Sequence, residues 1–261
     1  MKIGKITKRE VYAKYGIEFD GTYLHSPIGL IRELLKEGNT KTGRKVLTWS
    51  MTPGNGEGGT CACTCEGCYA MTGRYNMGTV KESLRRNTEL VNYHLDFFRR
   101  AVSAQLEYIE NAEIRIHAAG DFNTLNADAY AWTWHDIAAK FTQHAFWAYT
   151  KIEKYESLFD DLDNANIVKS IIPGKGINYG HCDYILELYA FLKAMKKDVY
   201  ICRCGIDKNQ HCEKCGHCSA AEYVLFIEHS TEYVAETDPA FPELKAVIES
   251  QDNTKVTRKT A

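Results

Sequence analysis

Four cysteines fall within eight residues, Cys61, Cys63, Cys65 and Cys68, and three of them, Cys61, Cys65 and Cys68, are spaced C-x₃-C-x₂-C. Three thiolates on one tight loop can each hold one iron of a cubane [4Fe–4S] cluster and leave the fourth iron open to a small molecule. A structural zinc site built from Cys61 or Cys63 with Cys65 and Cys68 is the competing use of the same loop. A second group follows at Cys202, Cys204, Cys212, Cys215 and Cys218, with an internal C-x₂-C-x₂-C run. That run fits part of a ferredoxin-type cluster site, with Cys202 or Cys204 as fourth ligand. A zinc knuckle with His211 or His217 as spare ligands fits it nearly as well. Cys182 stands alone and is expected to be a small buried residue.

Ten cysteines in a secreted chain would point to disulfides. C-x-C and C-x₂-C pairs are poorly suited to bridging separate elements and are typical of metal sites. The segment from Met1 to Gly16 is charged throughout, without the apolar core of a signal peptide, and no apolar run reaches membrane-spanning length. The expectation is therefore a cytoplasmic protein with reduced or metal-bound thiols and no membrane partner. A net charge of −2 gives no general attraction for nucleic acid or anionic lipid. With 261 residues the chain can bury a large core without needing a metal to fold.

The elements that must position these cysteines alternate between β-rich runs and helical patterns, the signature of βα units around a parallel sheet. Strands are predicted over 45–51, 113–119, 145–150, 166–172, 198–202 and 222–228. Helices are predicted over 80–91, 94–110, 127–141 and 184–196, with a weaker one near 154–162. An earlier helix is predicted with Ser26 as N-cap, Pro27 at its first position and Gly38 at its end. Near the C-terminus a short helix around 243–250 precedes a basic tail expected to fray.

In (β/α) barrels the loops after the strand C-termini carry the chemistry. Here the first cysteine loop follows the first strand, Gly120-Asp121 closes the second, Thr150-Lys151 the third, and Cys202 the fifth. Both cysteine groups are accordingly expected on one rim. Arg115 and His117, two apart on one strand, are expected to share a face. Asp121 either binds a ligand or caps the turn into the next helix. Lys169 and Ser170, and likewise Tyr149 and Lys151, serve equally as ligand contacts or as an ordinary strand surface. The Gly54–Gly59 run is expected to be a flexible lead-in to the cysteine loop. It lacks the Lys-Ser/Thr ending of a phosphate loop. The aromatics between Phe122 and Tyr149 are expected mainly in the core, and His135 and His144 carry no partner pattern.

The C-x₃-C-x₂-C loop after a first strand resembles the signature of the radical S-adenosylmethionine (SAM) superfamily. That resemblance implies a partial (β/α)₆ barrel, a cluster on Cys61, Cys65 and Cys68, and SAM chelating the open iron for cleavage to a 5′-deoxyadenosyl radical. His117-Ala-Ala-Gly120-Asp121-Phe122 looks like a variant of the family's Gly-Gly-Glu segment. It implies that Gly120 and Asp121 meet the SAM amino group, with Ser170 near its ribose or carboxylate. Two departures are Gly67 in place of an aromatic residue before Cys68, and the extra thiol of Cys63. Over roughly Lys45 to His229 the order of motifs also resembles an uncharacterised phage-associated family named after a mycobacteriophage gene product.

The combined expectation is an α/β protein. Residues 1–230 form one barrel-like domain that includes the cysteine-rich metal-binding segment 202–218, and residues 231–261 form a partly disordered extension. Its function would be radical SAM-like chemistry on an unknown substrate, with a [4Fe–4S] cluster, SAM, a second iron–sulfur cluster or zinc, and an electron donor such as a flavodoxin or ferredoxin. The alternative is a non-enzymatic metal-stabilised module that contacts nucleic acid or a host protein.

Overall fold

Apolar residues on both faces of the central strands dictate a sheet that must be covered twice. β4 (Val46–Ser50), β5 (Glu113–Ala119), β6 (Ala145–Thr150) and β7 (Ala165–Lys169) lie side by side in chain order and run parallel. The short β3 (Lys36–Glu37) pairs antiparallel with the outer edge of β4. This computed structural model describes residues 6–38, 43, 45–63, 68–172, 176–203, 206, 215–228 and 235–251.

Parallel neighbours need crossovers, and helices supply them. α2 (Gly78–Tyr93) and α3 (Leu95–Tyr108) connect β4 to β5, and α4 (Ala127–Lys140) connects β5 to β6. These helices cover one face of the sheet. Trp49, Ile114, Ile116, Phe146 and Ile167 pack there with Phe98 and Trp134 in the main core. Before the sheet come α1 (Lys8–Lys14), closed by a Thr7/Glu10 capping box, and a hairpin of β1 (Leu24–Ser26) and β2 (Gly29–Ile31).

That hairpin replaces the helix predicted from Ser26 to Gly38. Ser26 does not cap a helix: its hydroxyl accepts from the Ile28 N–H at 3.3 Å and donates to the Gly29 carbonyl at 2.6 Å, which closes a turn. The predicted strand 166–172 divides at Ser170, because β8 (Ile171–Ile172) turns away to pair antiparallel with β9 (Gly176–Ile177). Only a 3-10 turn, Glu153–Tyr155, stands where the weaker helix was expected.

The remaining strands form a second sheet in which β12 (Tyr223–Ile227) lies between β10 (Tyr179–Gly180) and β11 (Val199–Ile201), parallel to both. The two sheets are joined where the Lys169 N–H donates to the Glu222 carbonyl at 3.2 Å. The Asn178 carboxamide also donates to the carbonyls of Lys169 and Val224. The last of the described strands, not β11, is thus the one bonded across from β7. α5 (Cys182–Ala194) and α6 (Phe241–Ser250) pack on this part through Cys182, Ile185, Leu188, Leu244 and Ile248. Just past α6, Gln251 exchanges hydrogen bonds with both backbone groups of Ile201. Among the described residues, no helix is long and apolar enough to cross a membrane.

Candidate metal and cofactor site

The chain leaves β4 at Ser50 and its next N–H, that of Met51, donates to the Ala119 carbonyl at 2.9 Å, so the loop begins tied to the end of β5. It then closes on itself: Thr60 N–H donates to the Thr52 carbonyl at 3.0 Å and Cys61 N–H to the Gly54 carbonyl at 2.9 Å. The Gly54–Gly59 run, expected as a flexible lead-in, is therefore a hydrogen-bonded turn. Thr60 locks it to the sheet by accepting from the Asp121 N–H at 3.2 Å and from the Asn123 N–H at 3.0 Å. The Asn123 carboxamide donates to the Cys61 carbonyl at 3.2 Å.

This docking explains Gly120. Its φ of +89° suits glycine, and a Cβ there would stand 2.5 Å from the Thr60 hydroxyl and 3.1 Å from the Met51 Cβ. Glycine is needed so that the cysteine loop can rest on the end of β5.

Cys61, Cys63 and Cys68 are half-buried on this loop, whereas Cys65 and Gly67 lie outside the described residues. The Cys61 thiol is pushed up to about 12, chiefly by burial. A hydrogen bond from the loop opposes this, the charges of Asp121 and Cys68 reinforce it, and Lys151 opposes it. Cys61 and Cys68 are thus close enough to feel each other's charge, beside the ends of β5 and β6. Two soft sulfur donors on one loop fit a thiolate-bound metal, since either thiol would shed its proton on coordination.

Asp121 is buried, and its carboxylate is already largely committed. One oxygen accepts from the Phe122 N–H and the Thr150 hydroxyl, both at 2.8 Å, and the other accepts from the Lys151 N–H at 2.9 Å. Burial raises its pKa, and these bonds oppose that rise. Three of about four acceptor positions are filled from within the chain. Thr150 in turn accepts from the Ser170 N–H at 2.9 Å through its carbonyl. Gly120, Asp121 and the buried Ser170 therefore follow one another along the C-terminal ends of β5, β6 and β7, on the rim that carries Cys61. Lys169 sits in surface ion pairs with Glu156 and Glu222.

Arg115 and His117 do not share a face. His117 has a φ of +63°, and the register between β4 and β5 shifts at this point, so the strict alternation of the strand is lost. Its ring turns into the helical core, with Nε2 2.8 Å from the Tyr130 hydroxyl and the ring edge-on to Phe122. Burial, then the nearby Arg115 charge, lowers its pKa to about 3, so the imidazole is neutral. Arg115 keeps the opposite face, with its guanidinium 5.3 Å from the Trp147 ring and 5.4 Å from the Tyr149 ring.

The later cysteines gather over that second face. Cys202, Cys215 and Cys218 line a small pocket with Glu113, Trp147, Tyr200, Gly216 and Ser219. Cys204, His211 and Cys212 lie outside the described residues. Tyr149 donates its hydroxyl to the Cys218 sulfur at 2.9 Å, and Asn166 donates to the Cys218 carbonyl at 3.1 Å. The Tyr200 ring stacks on His217 at 3.7 Å with 10° between planes, and the Cys215 thiol lies 3.9 Å from the Tyr200 hydroxyl. The expectation of a shared rim fails for Cys215 and Cys218. They lie across the sheet, over Trp147 and the start of β5 at Glu113. Among the described residues α2, α3 and α4 cover one face, and Cys202, Cys215, Cys218 and Ala221 pack on the aromatic opposite face. Among the described residues no three His, Cys, Asp or Glu side chains converge as a ligand set.

Thr60, Asn123 and Tyr200 were not singled out from sequence. Tyr200 was accessible to pattern reasoning, because it stands two residues before Cys202 on a strand and so shares its face. Of the remaining histidines, His144 is a core residue whose two ring nitrogens bond the Ala112 N–H and the Leu106 carbonyl, and His135 bonds Asp161.

A family model described as Gene product 88 matches residues 33–182, more than half of the chain. The match runs from just before β3 to the first residue of α5, so it contains the first cysteine loop and stops before Cys202. No curated protein and no solved structure matches the chain.

Proposed function

The chain belongs to the Gene product 88 family, and on that premise we propose that its first cysteine loop binds a [4Fe–4S] cluster through Cys61, Cys65 and Cys68 and uses it on SAM, as radical SAM-like enzymes do. The observation that carries this reading is the three-thiol spacing on a loop docked at the C-terminal ends of parallel strands. Such a cluster, with one iron free of protein ligands, supplies the electron for reductive cleavage of SAM. The chain's own part is to hold the loop: Thr60 and Asn123 fix Cys61, and Gly120 admits the close approach. Lys151 and Asp121 set the local charge at Cys61. A partial barrel of radical-SAM type, an electron donor such as flavodoxin or ferredoxin, and a substrate of unassigned class complete the proposal.

The filled acceptors of Asp121 favour a second reading, in which Asp121 is a structural clamp and the cysteine loop holds zinc in a non-catalytic binding module. Anaerobic purification separates the two. A brown protein whose reduced cluster changes its electron paramagnetic resonance spectrum on adding SAM supports the enzyme. A full cluster without that change removes SAM from the proposal, and a colourless protein with stoichiometric zinc favours the module.

A further inference from the structure

The floor beneath the later cysteines has no assigned role, and its composition is specific. Tyr149 is a half-buried phenol whose hydroxyl donates to the Cys218 sulfur at 2.9 Å. Its ring lies against the Arg115 guanidinium. With its hydroxyl directed at the sulfur, the group is an O–H donor to Cys218. Tyr200 places a second hydroxyl 3.9 Å from the Cys215 thiol, which donates to it while protonated; a thiolate there would accept from the hydroxyl instead, and the stack on His217 fixes the ring. An O–H donor is of most value to a sulfur that carries negative charge, because bonds to ionised acceptors are roughly twice as strong as neutral ones.

We infer that Tyr149, assisted by Tyr200, is the outer-shell donor of a second thiolate–metal centre on the open face of the sheet, with Cys218 and Cys215 among its ligands and the Arg115 charge behind the ring. The inference rests on reading Cys202, Cys215 and Cys218 as metal ligands, and it makes Tyr149 a positioning residue, not a ligand. Outer-shell partners of this kind orient the ligand and tune its basicity, and losing one typically weakens metal binding by about ten- to a hundred-fold.

The test isolates the second centre in the full-length chain by replacing Cys61, Cys65 and Cys68 with alanine. Zinc is the probe, since a thiolate set of either proposed type accepts it. Its affinity is measured by competition with a chromophoric chelator, with thermal melting of the metal-free proteins as a folding control. Tyr149→Phe on this background is expected to weaken zinc binding by about ten- to a hundred-fold, with Tyr200→Phe weakening it less and both metal-free proteins melting as the parent does. Unchanged affinity in Tyr149→Phe overturns the inference and leaves the metal centre standing. If the parent background binds no zinc, the metal reading of the later cysteines fails, and the inference fails with it. If Tyr149→Phe lowers metal-free melting as much as it lowers affinity, the hydroxyl is a folding contact and the inference is likewise overturned.

Discussion

Among the described residues Cys61 is held through its main chain: its N–H bonds the Gly54 carbonyl, its carbonyl accepts from the Asn123 carboxamide, and the preceding threonine docks against a glycine. Cys218 shares the asparagine contact to its carbonyl but is also held at its sulfur, where a tyrosine hydroxyl donates. Bonds to the main chain fix a loop's path whatever side chain the cysteine carries, so the first region is sensitive to conformation and steric room. A bond to sulfur acts on the thiol itself, so the second region is sensitive to single functional groups.

The sharpest way to break this comparison is Gly120→Ala. A methyl group at 2.5 Å from the Thr60 hydroxyl, on a residue at φ +89°, must move the loop. The expected loss is on the order of 3 kcal/mol from backbone strain and overpacking together, read by denaturant unfolding. Metal retained by the first loop should fall with it while that of the later cysteines persists. Loss from both groups alike would show that the two regions are not independently held.

A smaller effect concerns acid. The folded pKa of His117, about 3, lies below its ordinary 6.5. Its stabilisation is thus complete above about pH 6.5 and is lost as pH falls towards 3, where unfolding gains a proton that the buried ring refuses. Of the groups around it, Arg115 and Tyr130 do not titrate in this window. Asp121 acts in the opposite sense, because its raised folded pKa makes protonation on acidification favourable to the fold. His117→Asn tolerates the left-handed backbone and should flatten the loss of stability between pH 6.5 and 3, whatever it does to stability at neutral pH. An unchanged slope would place the acid sensitivity elsewhere. The smallest effect is expected from Cys63→Ala, which should retain metal where Cys65→Ala does not. Equal loss in both would make the first loop a four-cysteine site.

How legible these regions were in the sequence follows from what fixes each. β5 and β6 were readable to the residue because their apolar runs are bounded by strong turn signals, and Cys182 was readable as buried core. The Ser26-Pro27 punctuation misled, because the same residues that start helices also close tight turns, and only pairing between Leu24 and Ile31 decides. The flip of His117 depends on one left-handed dihedral in mid-strand, which no period-two pattern can carry. The floor of Trp147, Tyr149 and Tyr200 was hidden for another reason: it joins strands far apart in the chain, through a strand order that runs out of sequence.

The clasp between Gln251 and Ile201 has a consequence for assembly. Among the described residues β11 is the outermost strand of its sheet, and a bare strand edge invites pairing with another chain. The glutamine amide, donating with its nitrogen and accepting with its oxygen, occupies both backbone groups of Ile201 as an added strand would. The turn after α6 thereby acts as a plug against edge-to-edge association, and a chain cut before Gln251 would present that edge to its neighbours.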